Sequence, residues 1–332
     1  AYTLTGTNLT VTGGITNNSA ATQTIGIALN TTSNQTFNAA AGNLTLAAIS
    51  NTAALTMQES AGRAISVNGA ITGNGSLIQS GAGTLNLNAS NSYSGGTTLN
   101  GGTVVAGNSA SFGSGGILVA SNAMIAAGTS ITLTNALGVS NGATATLNNA
   151  GNAWVQNGAI GGQGGIALSG AGTTTLGTSN SYSGGTTLNG GTVVAVNNNS
   201  FGIGSISVAS SSTIAAGTTA LNTTNAMAVA SGQTVTLNTA GDAWTQSGSV
   251  SGNGGVTKVG TGTLSFSGAN TYGGTTLVSG GTLQVTESLL GSGTVTVASG
   301  GTLSGTGSVG KTTIQSGGTI SAGANGNLGT LS

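Results

Sequence analysis

The segment SNSYSGGTTLNGGTVVA stands at residues 90–106 and again, unchanged, at 179–195, a shift of 89 residues. A shorter relative, ANTYGGTTLVSGGTLQV, occupies 269–285. Other landmarks keep the spacing: AGNAWVQNGAIGGQGG with Trp154 answers AGDAWTQSGSVSGNGG with Trp244, Phe112 answers Phe201, and AGRAISVNGAITGNGS puts Ile65 at the tryptophan position. The chain reads as about three and a half copies of a unit of 89 to 90 residues: a divergent copy over 1–90, then 91–179, 180–269 and a partial copy over 270–332. Repeats of this kind stack on their neighbours to share one core, so 1–332 is expected to form a single solenoid.

Within each copy the apolar runs are short (TLNLN, GILVA, TATLN) and broken by Gly, Asn and Ser. That pattern is strand and turn, and over this length it predicts an all-β fold, a parallel β-helix or β-solenoid, rather than a sandwich. With roughly 20–25 residues per coil and about 4.8 Å per coil, each copy makes about four coils and the whole a rod on the order of 70 Å long. The composition agrees. Charged residues make up 2% of the chain, and there is no proline. Equivalent residues of successive coils stack, so like charges would repel by about 0.9 kcal/mol even in water, whereas Thr and Asn can form ladders. Proline would remove a ladder donor. One stretch, TAALTMQESAGRAI at 52–65, has Glu59 and Arg63 at helical spacing. The repeat favours strands there instead, with Arg63, Asn152 and Asp242 sharing one turn position.

Net charge is zero, which offers nucleic acid or an anionic membrane no handle. No apolar run is long enough for a membrane helix, and any signal peptide is expected to lie outside these residues. Without Cys or His, no disulfide, iron–sulfur cluster or ordinary transition-metal site is expected. The stretch GTGSVGKT at 305–312 fits a phosphate-cradling loop letter for letter. The run after Lys311 alternates like a strand and breaks at Gly317–Gly318, and the three acids, Glu59, Asp242 and Glu287, offer no magnesium ligand at a strand end. The expectation is a glycine-rich turn that binds no nucleotide. Glu59 with Arg63 and Asp242 with Lys258 are the nearest opposite charges, and neither pair is a catalytic or calcium-binding constellation. No enzyme activity, no catalytic, cofactor-binding or metal residue and no cofactor is expected, and each charged residue is read as an isolated solvated turn position.

Tyr93, Tyr182, Tyr272, Trp154 and Trp244 recur with the repeat; they either fill core corners or form a stacking surface for sugars. Thr pairs such as Thr132/Thr134 and Thr294/Thr296 are similar to ice-binding faces, but do not recur once per coil. Sequons at Asn8, Asn17, Asn30, Asn34 and Asn43 are expected in so Asn- and Thr-rich a chain.

SGAGTLNLNASNSYSGGTTLNGGTVVA and VGTGTLSFSGANTYGGTTLVSGGTLQV resemble the autotransporter-associated β-strand repeat of bacterial passenger proteins, and the tail from LGSGTVTV onward continues the likeness. The resemblance covers about 65–332. It implies a right-handed parallel β-helix exported to the cell surface or beyond. Family tails often carry proline where this chain has Ala322 and Asn325, and no C-terminal membrane barrel is present in these residues. The resulting expectation is a structural subunit of an extracellular fibre or matrix that stacks end to end, with AYTLTGTNLTVTGG and GGTISAGANGNLGTLS as uncapped ends. The alternative is an adhesin stalk that presents a surface to glycans.

Overall fold

In the computed structural model, which describes residues 3–4, 6–289, 291 and 293–323, the regular elements are strands of two to six residues, and among the described residues there is no helix. Strand pairs along every sheet are parallel, as in Ala64–Val67 on Thr84–Leu87 and Thr192–Ala195 on Ser212–Ala216. The chain is a parallel β-solenoid. It divides into two compact units, Ala1–Ile166 and Ala167–Ser332. Asn325, with most of the expected C-terminal end segment, lies outside the described residues.

In the first unit a coil passes through three faces, such as Ala123–Ala127, Ile131–Leu133 and Leu137–Val139, before Thr144–Asn148 returns onto Ala123–Ala127. Alternation decides which side chains go in. Leu44, Ile65, Leu85, Val104, Ile125 and Leu147 stack in register, 19 to 22 residues apart, and all are buried. Their chain neighbours Ser66, Asn86, Val105 and Ala126 form the outward column beside them. In the second unit the inward columns are Val193, Ile214, Leu237, Lys258, Val278 and Val297 on one face, and Leu221, Trp244, Leu264, Leu283 and Leu303 on another.

The segment 52–65 is strand Ala54–Glu59, a turn, and the start of strand Ala64–Val67. Arg63, Asn152 and Asp242 occupy the same turn: their amides bond to Ser60 O, Asn149 O and Thr239 O at 2.9, 2.8 and 2.8 Å.

The expected four or so coils per copy are refined by the pairings: a copy is four coils and one face more. In the second unit Thr186–Asn189 pairs with Ile206–Ser210. Its copy Thr276–Val278 stacks instead in the column of Thr192–Ala195, by way of Ser212–Ala216, Thr234–Asn238 and Gly255–Val259. The first unit shows the same step: Ala64–Val67 stacks with Thr84–Leu87, while its copy Ala153–Gln156 lies on Ile131–Leu133. Coils of this length do not divide 89 or 90, and the remainder is one face.

Leu85→Ala is expected to cost about 2–5 kcal/mol as a cavity in the stacked core. Leu118→Ala, at an exposed outward position, should stay within about 0.5 kcal/mol. Urea unfolding of the two variants checks the inward and outward assignment.

Candidate functional sites

The tyrosine segments are the least regular part of each copy. After Thr84–Leu87 the chain makes no strand until Thr97–Leu99, and a side-chain framework holds the gap. Asn91 Oδ1 accepts from Ile71 N at 2.7 Å in the coil before, and its Nδ2 donates to Ser111 O at 2.6 Å in the coil after. Tyr93 points inward, fully buried, and its hydroxyl lies 2.6 Å from Thr97 Oγ1. The other copies repeat this contact at the same distance, Tyr182 with Thr186 and Tyr272 with Thr276. Burial drives all three phenols well above their usual range. Gly113 and Gly202 close over the first two rings, with φ of 60° and 63°; a Cβ there would stand 2.2 and 2.4 Å from Tyr93 O and Tyr182 O.

Trp154 and Trp244 are likewise buried, as are Phe37, Phe112, Phe201 and Phe266. The aromatics therefore fill corners and core. Of the two readings the sequence allowed, the sugar-stacking surface is overturned, since no face of these rings reaches solvent.

The charged residues require a second correction. Arg63, Glu287 and Lys311 are exposed and Asp242 is half-buried, but Glu59 and Lys258 lie inside. Lys258 stands in the apolar column between Leu237 and Val278. Its stem packs there and its Nζ donates to Val259 O, Gly260 O and Gly280 O at 2.9, 2.8 and 3.0 Å. Desolvation pulls its ammonium down to about 8. The position is a corner where carbonyls turn inward and require a donor. Elsewhere glutamine fills the role: Gln156 Nε2 reaches Gly158 O at 2.9 Å, and Gln246 Nε2 reaches Gly248 O at 2.9 Å. Glu59 receives Gln79 Nε2 at 2.6 Å on Oε2, and burial raises its carboxyl to about 7. Sequence reasoning missed both residues. The usable signal was their place at the inward phase of a strand, next to a glycine corner.

In GTGSVGKT the first four amides are already engaged. Gly305 N bonds to Gly323 O, Thr306 N and Gly307 N to Val285 O, and Ser308 N to Glu287 O. A strand, Thr312–Ile314, stands where a phosphate loop has a helix. Among the described residues no three His, Cys, Asp or Glu side chains gather as a metal site.

Single outward threonines, rather than Thr-x-Thr pairs, stack over successive coils. Thr173, Thr192, Thr213, Thr236 and Thr257 form one column, which continues through Leu277 to Thr296 and Thr313. Of the sequons, Asn17 is buried and its Nδ2 donates to Ala21 O and Asn43 O, both at 2.9 Å. In the first unit an open groove of about 440 Å³ is lined by Ser94, Gly95, Gly96, Thr98, Leu118 and Gly138, among others.

The family model described as the passenger-associated-transport-repeat matches residues 77–106, 168–195 and 256–285. Each match contains one of the three Tyr–Thr contacts. No curated protein and no solved structure matches the chain.

Removing one hydroxyl by Tyr182→Phe takes the 2.6 Å partner from the buried Thr186 Oγ1 and leaves it only the longer contact to Phe201 O at 3.4 Å, and is expected to cost about 1 kcal/mol. Tyr182→Ala should cost about 3–5 kcal/mol. Lys258→Met, which leaves corner carbonyls without their donor, should cost about 1–3 kcal/mol. Denaturant midpoints of the three variants rank these effects.

Proposed function

Because the chain is a solenoid built on three passenger-associated-transport repeats, which speak for an autotransporter-type passenger exported to the cell surface, we propose that it serves as a structural subunit of an extracellular fibre or matrix. The observation that carries this reading is what the surface lacks. Every described aromatic is turned inward, and few charges are outside. What remains is hydroxyl, amide, glycine and aliphatic groups, Leu118 and Ile203 among them. A surface of this kind suits packing against other surfaces better than sugar stacking or ionic capture, which supports the structural reading.

Self-association fits the edges. In the second unit Thr312–Ile314 and Thr319–Ala322 end their sheets, and in the first unit Asn8–Thr10 and Ile15–Thr16 end theirs. Among the described residues no strand pairs on their far sides. A ladder edge that no further segment covers is a template for another chain. A second copy continuing the coils would satisfy them through backbone bonds that salt does not screen.

The second reading, an adhesin stalk with a binding surface, rests on the Leu118 groove. Light scattering against concentration, with electron microscopy of the same sample, decides between the two. Filaments that persist in molar salt support the fibre. A chain that stays monomeric at high concentration transfers the weight to the stalk. Separately, titration with ATP or GTP and magnesium is expected to give no heat, and micromolar binding abolished by Lys311→Ala would show that the engaged amides are released for a ligand.

A further inference from the structure

The buried pair of Glu59 and Gln79 is short of one hydrogen. Gln79 Nε2 donates to Glu59 Oε2 at 2.6 Å and toward Gly81 O at 3.3 Å. That uses both amide hydrogens and leaves Glu59 Oε1 and Gln79 Oε1, each enclosed by protein, with no donor. Unpartnered oxygens in such a place are costly, and a charged one more so. Among the described residues no cation is paired with it. The elements packed around the carboxyl are strands Gln35–Ala39 and Ser76–Gln79, the corner glycines Gly81 and Gly83, and the turn at 60–63. The single charged residue among them is Arg63, which is exposed. The corner is also tight: a Cβ on Gly81 would stand 2.7 Å from Glu59 Oε2, and one on Gly83 2.6 Å from Glu59 Cβ.

We propose that Glu59 is a proton-binding site: the folded chain holds it as the neutral acid, Oε1–H donating to Gln79 Oε1 while Oε2 accepts from Gln79 Nε2. A single proton taken from solvent supplies a partner to both orphan oxygens. The resulting ring of two hydrogen bonds ties strand Ala54–Glu59 to strand Ser76–Gln79 at the corner. In the second unit the corresponding corner is built from Asn238 and Lys258: a Cβ on Gly260 would meet Asn238 Oδ1 at 2.6 Å, as one on Gly81 meets Glu59. The device therefore acts on one coil and leaves that second corner alone.

The direction of its pH response is set by the raised carboxyl. In the fold that group titrates at about 7, against an ordinary value of 4.5. The proton-linked stabilisation is complete below the ordinary value, declines as pH rises between the two, and is gone above the raised one. Mildly acidic surroundings clamp the coil, and alkaline ones loosen it at the turn before Arg63.

The chain has two glutamates, Glu59 and Glu287, so carbon-13 labelling of glutamate gives two side-chain carboxyl resonances in the full-length protein. One is expected to move only near neutral pH, and to vanish in Glu59→Gln. If both move together in the ordinary carboxylate range, the proposal is overturned. That measurement needs only the wild-type chain, so it decides even if the variant fails to fold. In a folded variant, amide exchange at Gly83 and Thr84 is the second readout, because their donors bind Glu59 O and Arg63 O at 3.0 and 2.9 Å. The wild type should match Glu59→Gln at about pH 5 and exchange about tenfold faster or more at about pH 8.5. A ratio that does not change with pH would count against the acid–amide ring.

Discussion

Within each sheet an interior strand is hydrogen-bonded to the strand one coil before it and one coil after, so a residue's nearest neighbour is its own counterpart about 4.8 Å away. This like-over-like contact is the constraint from which the composition derives. A charge would face a charge, and a proline would remove a donor from the ladder. Threonine over threonine costs neither, and the column from Thr173 to Thr257 shows how far the chain relies on it. Inside, the same rule puts leucine over isoleucine over valine, and branched side chains of similar size stack without voids.

Corners are where the rule is hardest to satisfy, because the ladder stops and carbonyls turn toward the core. The chain closes them with side-chain donors. Asn135 Nδ2 spans Gly113 O and Gly115 O at 3.1 and 2.6 Å, and Asn225 Nδ2 spans Gly202 O and Gly204 O at the same distances. Lys258 belongs to this group in spite of its charge, since three carbonyls receive its three hydrogens. The Tyr–Thr contacts belong to it as well. What the three copies of the motif share is thus a way of holding an irregular corner.

The repeat, the parallel coils and the inward phase of residues such as Leu85 and Ile125 could all be read from spacing and alternation. The strand at 54–59 was legible only because its copies elsewhere are not helix-like; its own Glu59 and Arg63 spacing pointed the other way. The fates of Glu59 and Lys258 were not legible from composition, because a charge is expected at the surface unless partners are known, and those partners are backbone carbonyls and an amide from the next coil. Tyr93 could be placed at a corner but not oriented, since both a core filler and a stacking platform recur at the same interval. The coil count per copy was legible to the nearest coil, but the extra third of a turn was not, because coil length was known only to within a few residues.

That third of a turn limits how such a chain can gain valency. When the 89-to-90-residue unit is duplicated, the new copy presents its side chains at a different azimuth from the old, as Thr276–Val278 and Thr186–Asn189 do. A patch that gripped a flat substrate would be carried round the axis by each duplication, like steps on a spiral stair, and would meet the same plane again only after three. Lengthening by this increment therefore adds reach without adding avidity.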